Sequence, residues 1–306
     1  MNVASWVALL TFVPALAAQQ VPSLSVNVNV VSILATVHDR DGKLVNNLTA
    51  GDFVLEEDGV PQKIRYFSRE SDLPLTVGLL VDTSRSQQGV LEQESKASST
   101  FFDQVLHPGK DEAFVMKFDT RVETLQGLTS SRQQLAAALD RLVIPEEYAT
   151  LLYSAVRQSS EDILQKREGR KALILLTDGV AYRDDTSVGT AIECAQRADT
   201  ILYSIRFSDA VRAYRPVRAA FLSAAKEHGK LELERMAKQT GGESFGVTSK
   251  QSIDATYQEI EEALRSQYSV GYTPARTGPD GKYHRIKLVT KDKHLTVDAR
   301  DGYFAK

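Results

Sequence analysis

The chain has 306 residues, with 37 Lys and Arg against 40 Asp and Glu for a formal charge of −3. That length suggests about two domains and at least one sizeable core; a chain 42% hydrophobic and 25% charged, with 18 Gly and 9 Pro, is not a disordered, collagenous or polytopic membrane protein. A slightly acidic balance supplies no overall cationic field for a phosphate backbone, so nucleic acid is excluded as the expected partner.

Val3 to Ala18 is an almost uncharged apolar stretch that ends in the small residues Ala15-Leu16-Ala17-Ala18 before Gln19-Gln20. It is short for a bilayer span, and Pro14 opposes a core helix, so residues 1–18 read as a secretory signal peptide with an n-region lacking Lys and Arg. No other run reaches the roughly 18 consecutive apolar residues of a membrane helix. The mature chain is therefore expected to have no membrane span and to be exported to the periplasm, the cell surface or the medium. Cys194 is the single cysteine, which excludes an internal disulfide or a multi-cysteine zinc site. It lies in a helix-like run, 187–198, where a buried inert thiol is expected.

From Leu24 the sequence alternates through Val26, Val28 and Val30, then runs through Ile33, Ala35 and Val37 to the turn Asp39-Arg40-Asp41-Gly42. Phe53 to Glu56 and Lys63 to Phe67 read as short strands around Asp58-Gly59-Val60-Pro61, so 19–72 is an N-terminal β segment. After Leu73-Pro74 the pattern changes. Leu75 to Val81 is a continuous apolar run, as in a strand buried on both faces of a parallel sheet. Helical spacing follows at Ala97, Phe101 and Val105, at Leu135 to Leu142, and at Leu152 to Ile163, with strand-like runs at Ala113 to Phe118, Ala172 to Leu176 and Ile201 to Phe207. Leu231 to Lys238 predicts a helix ending at Gly241-Gly242, and Ile253, Tyr257, Ile260 and Leu264 mark a last amphipathic helix. Gln267 to Tyr272, Tyr283 to Val289 and Leu295 to Ala299 read as strands, with a turn at Gly278-Pro279-Asp280-Gly281.

The rhythm predicts an α/β fold, a doubly wound, open, mostly parallel sheet over 73–250. Neither β end buries a sheet face well alone. The expectation is that 251–306, a linking helix and a C-terminal β segment, pairs with 19–72 in a small β-sandwich into which the α/β unit is inserted.

The first apolar strand runs into Asp82-Thr83-Ser84-Arg85-Ser86, a carboxylate and two hydroxyls on alternate residues. A second strand ends in Thr177-Asp178-Gly179, and the connection before it carries Ala149-Thr150. Loops at the carboxyl ends of parallel strands gather at the topological switch point, so these hard oxygen donors are expected to meet. Singly, such motifs serve as helix caps and turns; their order and spacing together single them out.

Asp82-x-Ser84-x-Ser86, then Thr150, then Asp178-Gly179, resembles the metal-ion-dependent adhesion site (MIDAS) of von Willebrand factor type A (VWA) domains. The resemblance covers about residues 73–250 and implies a Rossmann-like fold. The flanks, Asp52-Phe53 to Gln62 and Ala299 to Tyr303, are similar to secreted bacterial, acidobacterial-type proteins that carry this domain. The sequence departs from the family at Arg85 and Gln87, often small or apolar there, and at Tyr148-Ala149, where a Gly pair is common. By this resemblance Ser84 and Ser86 coordinate directly, Thr150 joins or leaves the shell, and Asp82 and Asp178 act through water. The ion is Mg²⁺ first, with Ca²⁺ or Mn²⁺ as alternatives. It is expected to accept an Asp or Glu carboxylate from a protein partner.

Asp119, Asp184 and Asp185 read as solvated loop carboxylates, Asn47-Leu48-Thr49 as a turn, and Arg206 to Arg218 as a basic solvated loop. His38, His107, His228, His284 and His294 show no metal-ligand spacing. The leading expectation is thus a non-enzymatic, exported binding module. A metal-dependent hydrolase finds no Gly-x-Ser-x-Gly, Walker or His-Glu-x-x-His motif to support it; a structural module with a vestigial metal site is the other alternative. Oligomeric state is not encoded in any of these patterns.

Overall fold

The computed structural model of the chain describes residues 30–70, 73–207, 216–248, 251–274 and 280–305. The expected signal peptide lies outside these residues, as do Val26, Val28, Arg212, Arg215 and Gly278-Pro279.

The N-terminal strands are β1 (Val31–His38), β2 (Phe53–Glu57), β3 (Val60–Gln62) and β4 (Tyr66–Glu70). The α/β unit follows as β5 (Leu75–Asp82), α1 (Leu91–Val105), β6 (Glu112–Phe118), β7 (Val122–Thr129), α2 (Arg132–Leu139), α3 (Leu152–Gln158), β8 (Arg170–Leu176), α4 (Val188–Arg197), β9 (Ile201–Phe207), α5 (Pro216–Thr240), β10 (Ser244–Val247) and α6 (Ile253–Arg265). The chain closes with β11 (Gln267–Tyr272), β12 (Tyr283–Thr290), β13 (Thr296–Ala299) and β14 (Gly302–Phe304).

β5 is buried at every position and lies inside a six-stranded sheet of order β10-β9-β8-β5-β6-β7, parallel throughout except for β6 with β7. This is the doubly wound, mostly parallel α/β sheet that the apolar runs predict. Its two faces separate by the period-2 rule. Leu75, Val77, Leu79 and Val81 pack with α1, α2 and α6, whereas Leu80 joins Phe114, Met116, Leu173 and Leu175 beneath α3, α4 and α5. Gly78 is paired with both Phe114 and Leu173, and a Cβ there would stand 2.3 Å from the Phe114 ring. A bare backbone lets these two side chains close over it.

Several elements differ from the sequence reading. β7 is an unexpected antiparallel edge strand; register shifts against β6 break its alternation, which is why period-2 analysis passes over it. α5 begins at Pro216 rather than near Leu231, because Leu233 and Met236 in its C-terminal half supply its share of the core while residues 222–228 are half-buried or exposed. The helix expected to link the α/β unit to the C-terminal strands is α6, which lies on α1: Tyr257 stacks on Phe101 with centroids 4.6 Å apart, and its hydroxyl is 2.7 Å from Ser98 Oγ.

The terminal strands form two antiparallel four-stranded sheets, β13-β1-β11-β4 and β14-β12-β2-β3, each mixing strands from both ends of the chain. Ile33, Val37, Phe53, Leu55, Tyr268, Val270, Ile286 and Leu288 share one buried cluster between them.

Candidate metal centre

Strand register positions the loops. Val81 is paired with Leu176, and Asp82 with Phe118, so the carboxyl ends of β8, β5 and β6 are level. The connection after β5 runs to β6 on one side and that after β8 runs to β9 on the other, making the edge between β5 and β8 the switch point of the sheet.

Asp82 is fully buried. Its Oδ1 accepts the Ser84 N–H at 2.8 Å and its Oδ2 accepts the Thr177 hydroxyl at 2.6 Å, a partner the parallel register sets beside it. The Ser84 and Ser86 hydroxyls are 3.0 Å apart, the first buried and the second exposed, and the Gln87 side-chain amide donates to Ser86 Oγ at 3.2 Å. Asp178 is buried next to Thr177, its Oδ1 accepting the Val180 N–H at 3.1 Å. Thr150 is tied through backbone to the loop after β8: its N–H donates to the Tyr182 carbonyl at 2.9 Å and its carbonyl accepts the Tyr182 N–H at 3.1 Å. The Leu151 N–H donates to the Asp119 carbonyl, so the Thr150 loop is tied to the loops after both β8 and β6.

Gly179 closes the arrangement from the side. It has φ +82°, and a Cβ on it would lie 2.7 Å from the Gly229 carbonyl oxygen of α5; a Cβ on Gly229 would lie 2.6 Å from Gly179 in return. Backbone touches backbone, so neither element can give. Gly229→Ala is expected to destabilise the fold by about 1–3 kcal/mol through overpacking, although Ala alone favours a helix by about 1 kcal/mol. A chemical denaturation curve with a raised midpoint would contradict this packing.

The electrostatics are one-sided. Burial, then the neighbouring Asp178 charge, pushes the Asp82 carboxyl up to about 7. Glu94, in the first turn of α1, is completely buried, and among the described residues neither of its carboxylate oxygens has a hydrogen-bond partner. Burial first, and then the charges of Asp82 and Asp178, push Glu94 up to about 8. The buried Lys117 ammonium is committed to Asp119 at 2.8 Å. Three carboxyl groups thus converge on one buried locality, and the sequence reading names only two of them. Glu94 occupies the spacing of the buried positions Ala97, Ser98 and Phe101, so an acid on the apolar stripe of α1 was the available signal.

Asp119 is not a solvated loop residue. It is buried, accepts the Thr83 hydroxyl at 2.7 Å and pairs with Lys117, which together hold its carboxyl below the usual range against the cost of burial. Through Thr83 it braces the loop that carries Ser84. Asp184 accepts the Tyr153 and Ser154 N–H groups at 2.8 and 3.1 Å and so holds the start of α3 just after Thr150. Cys194 is buried, 3.2 Å from Glu161 Oε1, and burial and that contact push its thiol up to about 12. Two departures from the expected motif are partners: the Arg85 guanidinium donates to the Tyr148 hydroxyl at 2.7 Å and lies 4.6 Å over its ring. Both are exposed on the loops that carry Ser84 and Thr150.

Residues 77–261 match the family model of the von Willebrand factor type A domain. Among solved structures, proximal thread matrix protein 1 from the mussel byssus aligns with 16% identity over 68% of this chain and 51% of its own, at TM-score 0.51. A structure of that protein with a zinc occupied MIDAS motif aligns with 15% identity, 68% and 50% coverage and TM-score 0.52. BatB from Bacteroides thetaiotaomicron aligns with 16% identity over 62% of this chain and 97% of that one, at TM-score 0.47. This chain spans about half the length of the mussel protein, and the likeness is one of fold. No curated protein sequence matches it.

Proposed function

As this chain belongs to the von Willebrand factor type A domain family, we propose that it is an exported, non-enzymatic binding module. It takes up a divalent cation at Asp82, Ser84, Ser86, Thr150 and Asp178 and presents it to an Asp or Glu carboxylate on a protein partner. The observation that carries this reading is the uncompensated acid at the sheet edge: Asp82 raised by burial and then by Asp178, and Glu94 with neither oxygen partnered among the described residues. A buried carboxylate without a partner is costly, and a cation relieves that cost. The donors suit it. All are oxygens, three are neutral hydroxyls, and such a set fits Mg²⁺, with Ca²⁺ or Mn²⁺ as alternatives; the mussel relative carries zinc in its motif. With only two carboxylates in the set, a bound ion keeps enough positive character to attract an acidic ligand.

Arg85 supports the acidic partner. Held by Tyr148 on the exposed side of the loop, it adds a fixed positive charge where a carboxylate would approach. Export is supported by the N-terminal apolar run, and no helix among the described residues is long and apolar enough to cross a membrane.

The test is binding to immobilised peptides that end in Asp or Glu, compared with Asn and Gln equivalents, in Mg²⁺ and after chelation. Wild type is expected to bind the acidic set in an ion-dependent way, Asp82→Ala to bind neither set, and Thr150→Ala to lose peptide more than ion. Arg85→Glu should weaken acidic-peptide binding by about tenfold, the scale of one close charge reversed at an exposed site, while leaving ion uptake in place. Equal capture with and without the ion would overturn the reading.

A further inference from the structure

Outside the loop cluster, the turn joining β2 to β3 meets the start of β12, and there we propose a second cation site. Glu57, Asp58 and His284 form a mixed carboxylate and imidazole set for a zinc-type divalent ion. His284 Nδ1 lies 2.9 Å from Asp58 Oδ2 and 3.6 Å from Glu57 Oε1, and one ligand atom from each residue falls within 4.8 Å of the others. Ligands held 2.0–2.1 Å from a tetrahedral zinc stand about 3.3 Å apart. The two distances to Nδ1 bracket that spacing, and the two carboxylate atoms lie within 4.8 Å of each other.

The surroundings are those of a built site. The Glu57 side chain is 9% exposed, its Oε2 has no hydrogen-bond partner among the described residues, and the Tyr272 hydroxyl lies close to the carboxylate. The Tyr303 hydroxyl donates to Glu57 Oε1 at 3.1 Å and orients the carboxylate. On the far side of the imidazole, Asp280 Oδ1 lies 3.3 Å from Nε2, the carboxylate–histidine relation that sets the tautomer of a metal-binding imidazole and aims its other nitrogen. Asp58 is fixed by backbone: its N–H donates to the Arg285 carbonyl, and its Oδ1 accepts the Arg285 N–H, both at 2.9 Å, which leaves Oδ2 turned to His284.

The acidic surroundings suit a cation: the carboxylates of Glu57, Asp58 and Asp280 all face the His284 ring. A divalent ion on a neutral imidazole balances Glu57 and Asp58 and leaves the Nε2–H for Asp280. The nitrogen donor selects zinc-type ions over Mg²⁺. Bound there, the ion fastens the N-terminal hairpin to a C-terminal strand, so that binding free energy becomes folding free energy.

The site is independent of the sheet-edge loops, and its test is made in the Asp82→Ala background so that failure of one reading leaves the other standing. Tag-free full-length protein, stripped with chelator, is titrated with Zn²⁺ against a chromogenic zinc chelator, and Co²⁺ is used as a spectroscopic probe. Asp82→Ala protein is expected to keep one zinc equivalent with tetrahedral Co²⁺ absorption. Adding His284→Gln or Glu57→Gln, each with an unchanged circular dichroism spectrum, should remove it, and Asp280→Asn should weaken it about ten- to a hundredfold. Absence of that equivalent from Asp82→Ala protein, or its retention in both the His284→Gln and Glu57→Gln variants, would overturn the proposal. The Gln variants keep side-chain bulk, so one well-folded variant suffices to decide.

Discussion

Saturating Mg²⁺ is expected to raise the thermal midpoint of the wild-type chain by about 5–10 °C, and Asp82→Ala to lose most of that response. An ion that binds only the folded state at a hundredfold excess over its dissociation constant contributes about 2.7 kcal/mol, and in a unit of this size 1 kcal/mol moves the midpoint by about 2–4 °C. Without the ion the substitution should cost little or even stabilise. It removes a fully buried carboxyl held beside Asp178 and near Glu94, at the expense of the Thr177 and Ser84 hydrogen bonds. Ser84→Ala and Ser86→Ala should also blunt the Mg²⁺ response, because each deletes a neutral donor without changing charge. The two readings of the loop cluster separate here: a vestigial site gives the same midpoint with and without ion in every variant. An ion-dependent shift that is equal in wild type and Asp82→Ala would move the metal elsewhere in the molecule.

Stability of the metal-free protein should fall as pH rises from about 4.5 to about 8, and Glu94→Gln should remove much of that slope. The sign follows from proton linkage. Folding raises the Glu94 carboxyl from 4.5 to about 8 and Asp82 from 3.8 to about 7, so between those limits the folded state holds more protons than the unfolded chain. Stability is full below the unfolded values and is lost as pH climbs through the folded ones. One pKa unit corresponds to about 1.4 kcal/mol, so the group as a whole commands several kcal/mol. Glu94→Gln is expected to melt higher than wild type at pH 8 and about equally at pH 4.5. Saturating Mg²⁺ should flatten the wild-type slope, since the ion favours the ionised acids that burial penalises. Denaturation across this range in chelator checks both statements; a wild-type protein more stable at pH 8 than at pH 5 would refute them.

Much of the architecture is written locally. A continuous apolar run such as Leu75 to Val81 suits only a strand covered on both faces, and the helical spacing of Ala97, Phe101 and Val105 announces the face of α1 that meets it. The order Asp82-x-Ser84-x-Ser86, Thr150, Asp178 could be read because each motif borders an element whose period is plain: the first and last follow β5 and β8, and Thr150 precedes α3. Where the period fails, the reading fails too. The bulged pairing of β7 hides a strand, and the half-buried or exposed residues 222–228 hide about two turns of α5.

The sequence by itself determined the class of the sheet, which residues of its periodic elements face the core, and the short motifs that follow β5 and β8 and precede α3. Only the tertiary structure decided what those motifs face. Thr177 became the partner of Asp82 through the parallel register of β5 and β8, and Asp119 became a buried brace through Lys117 and Thr83. Arg85 met Tyr148, Glu94 came close enough to feel the Asp82 and Asp178 charges, and His284 met Glu57 and Asp58 at a sequence separation of 226 or more. The physical reason is range. Hydrophobic periodicity is a property of a few consecutive residues and is visible in any window, whereas the energy of a buried charge depends on every other charge that packing brings within a few ångströms, and packing is settled by the whole chain at once.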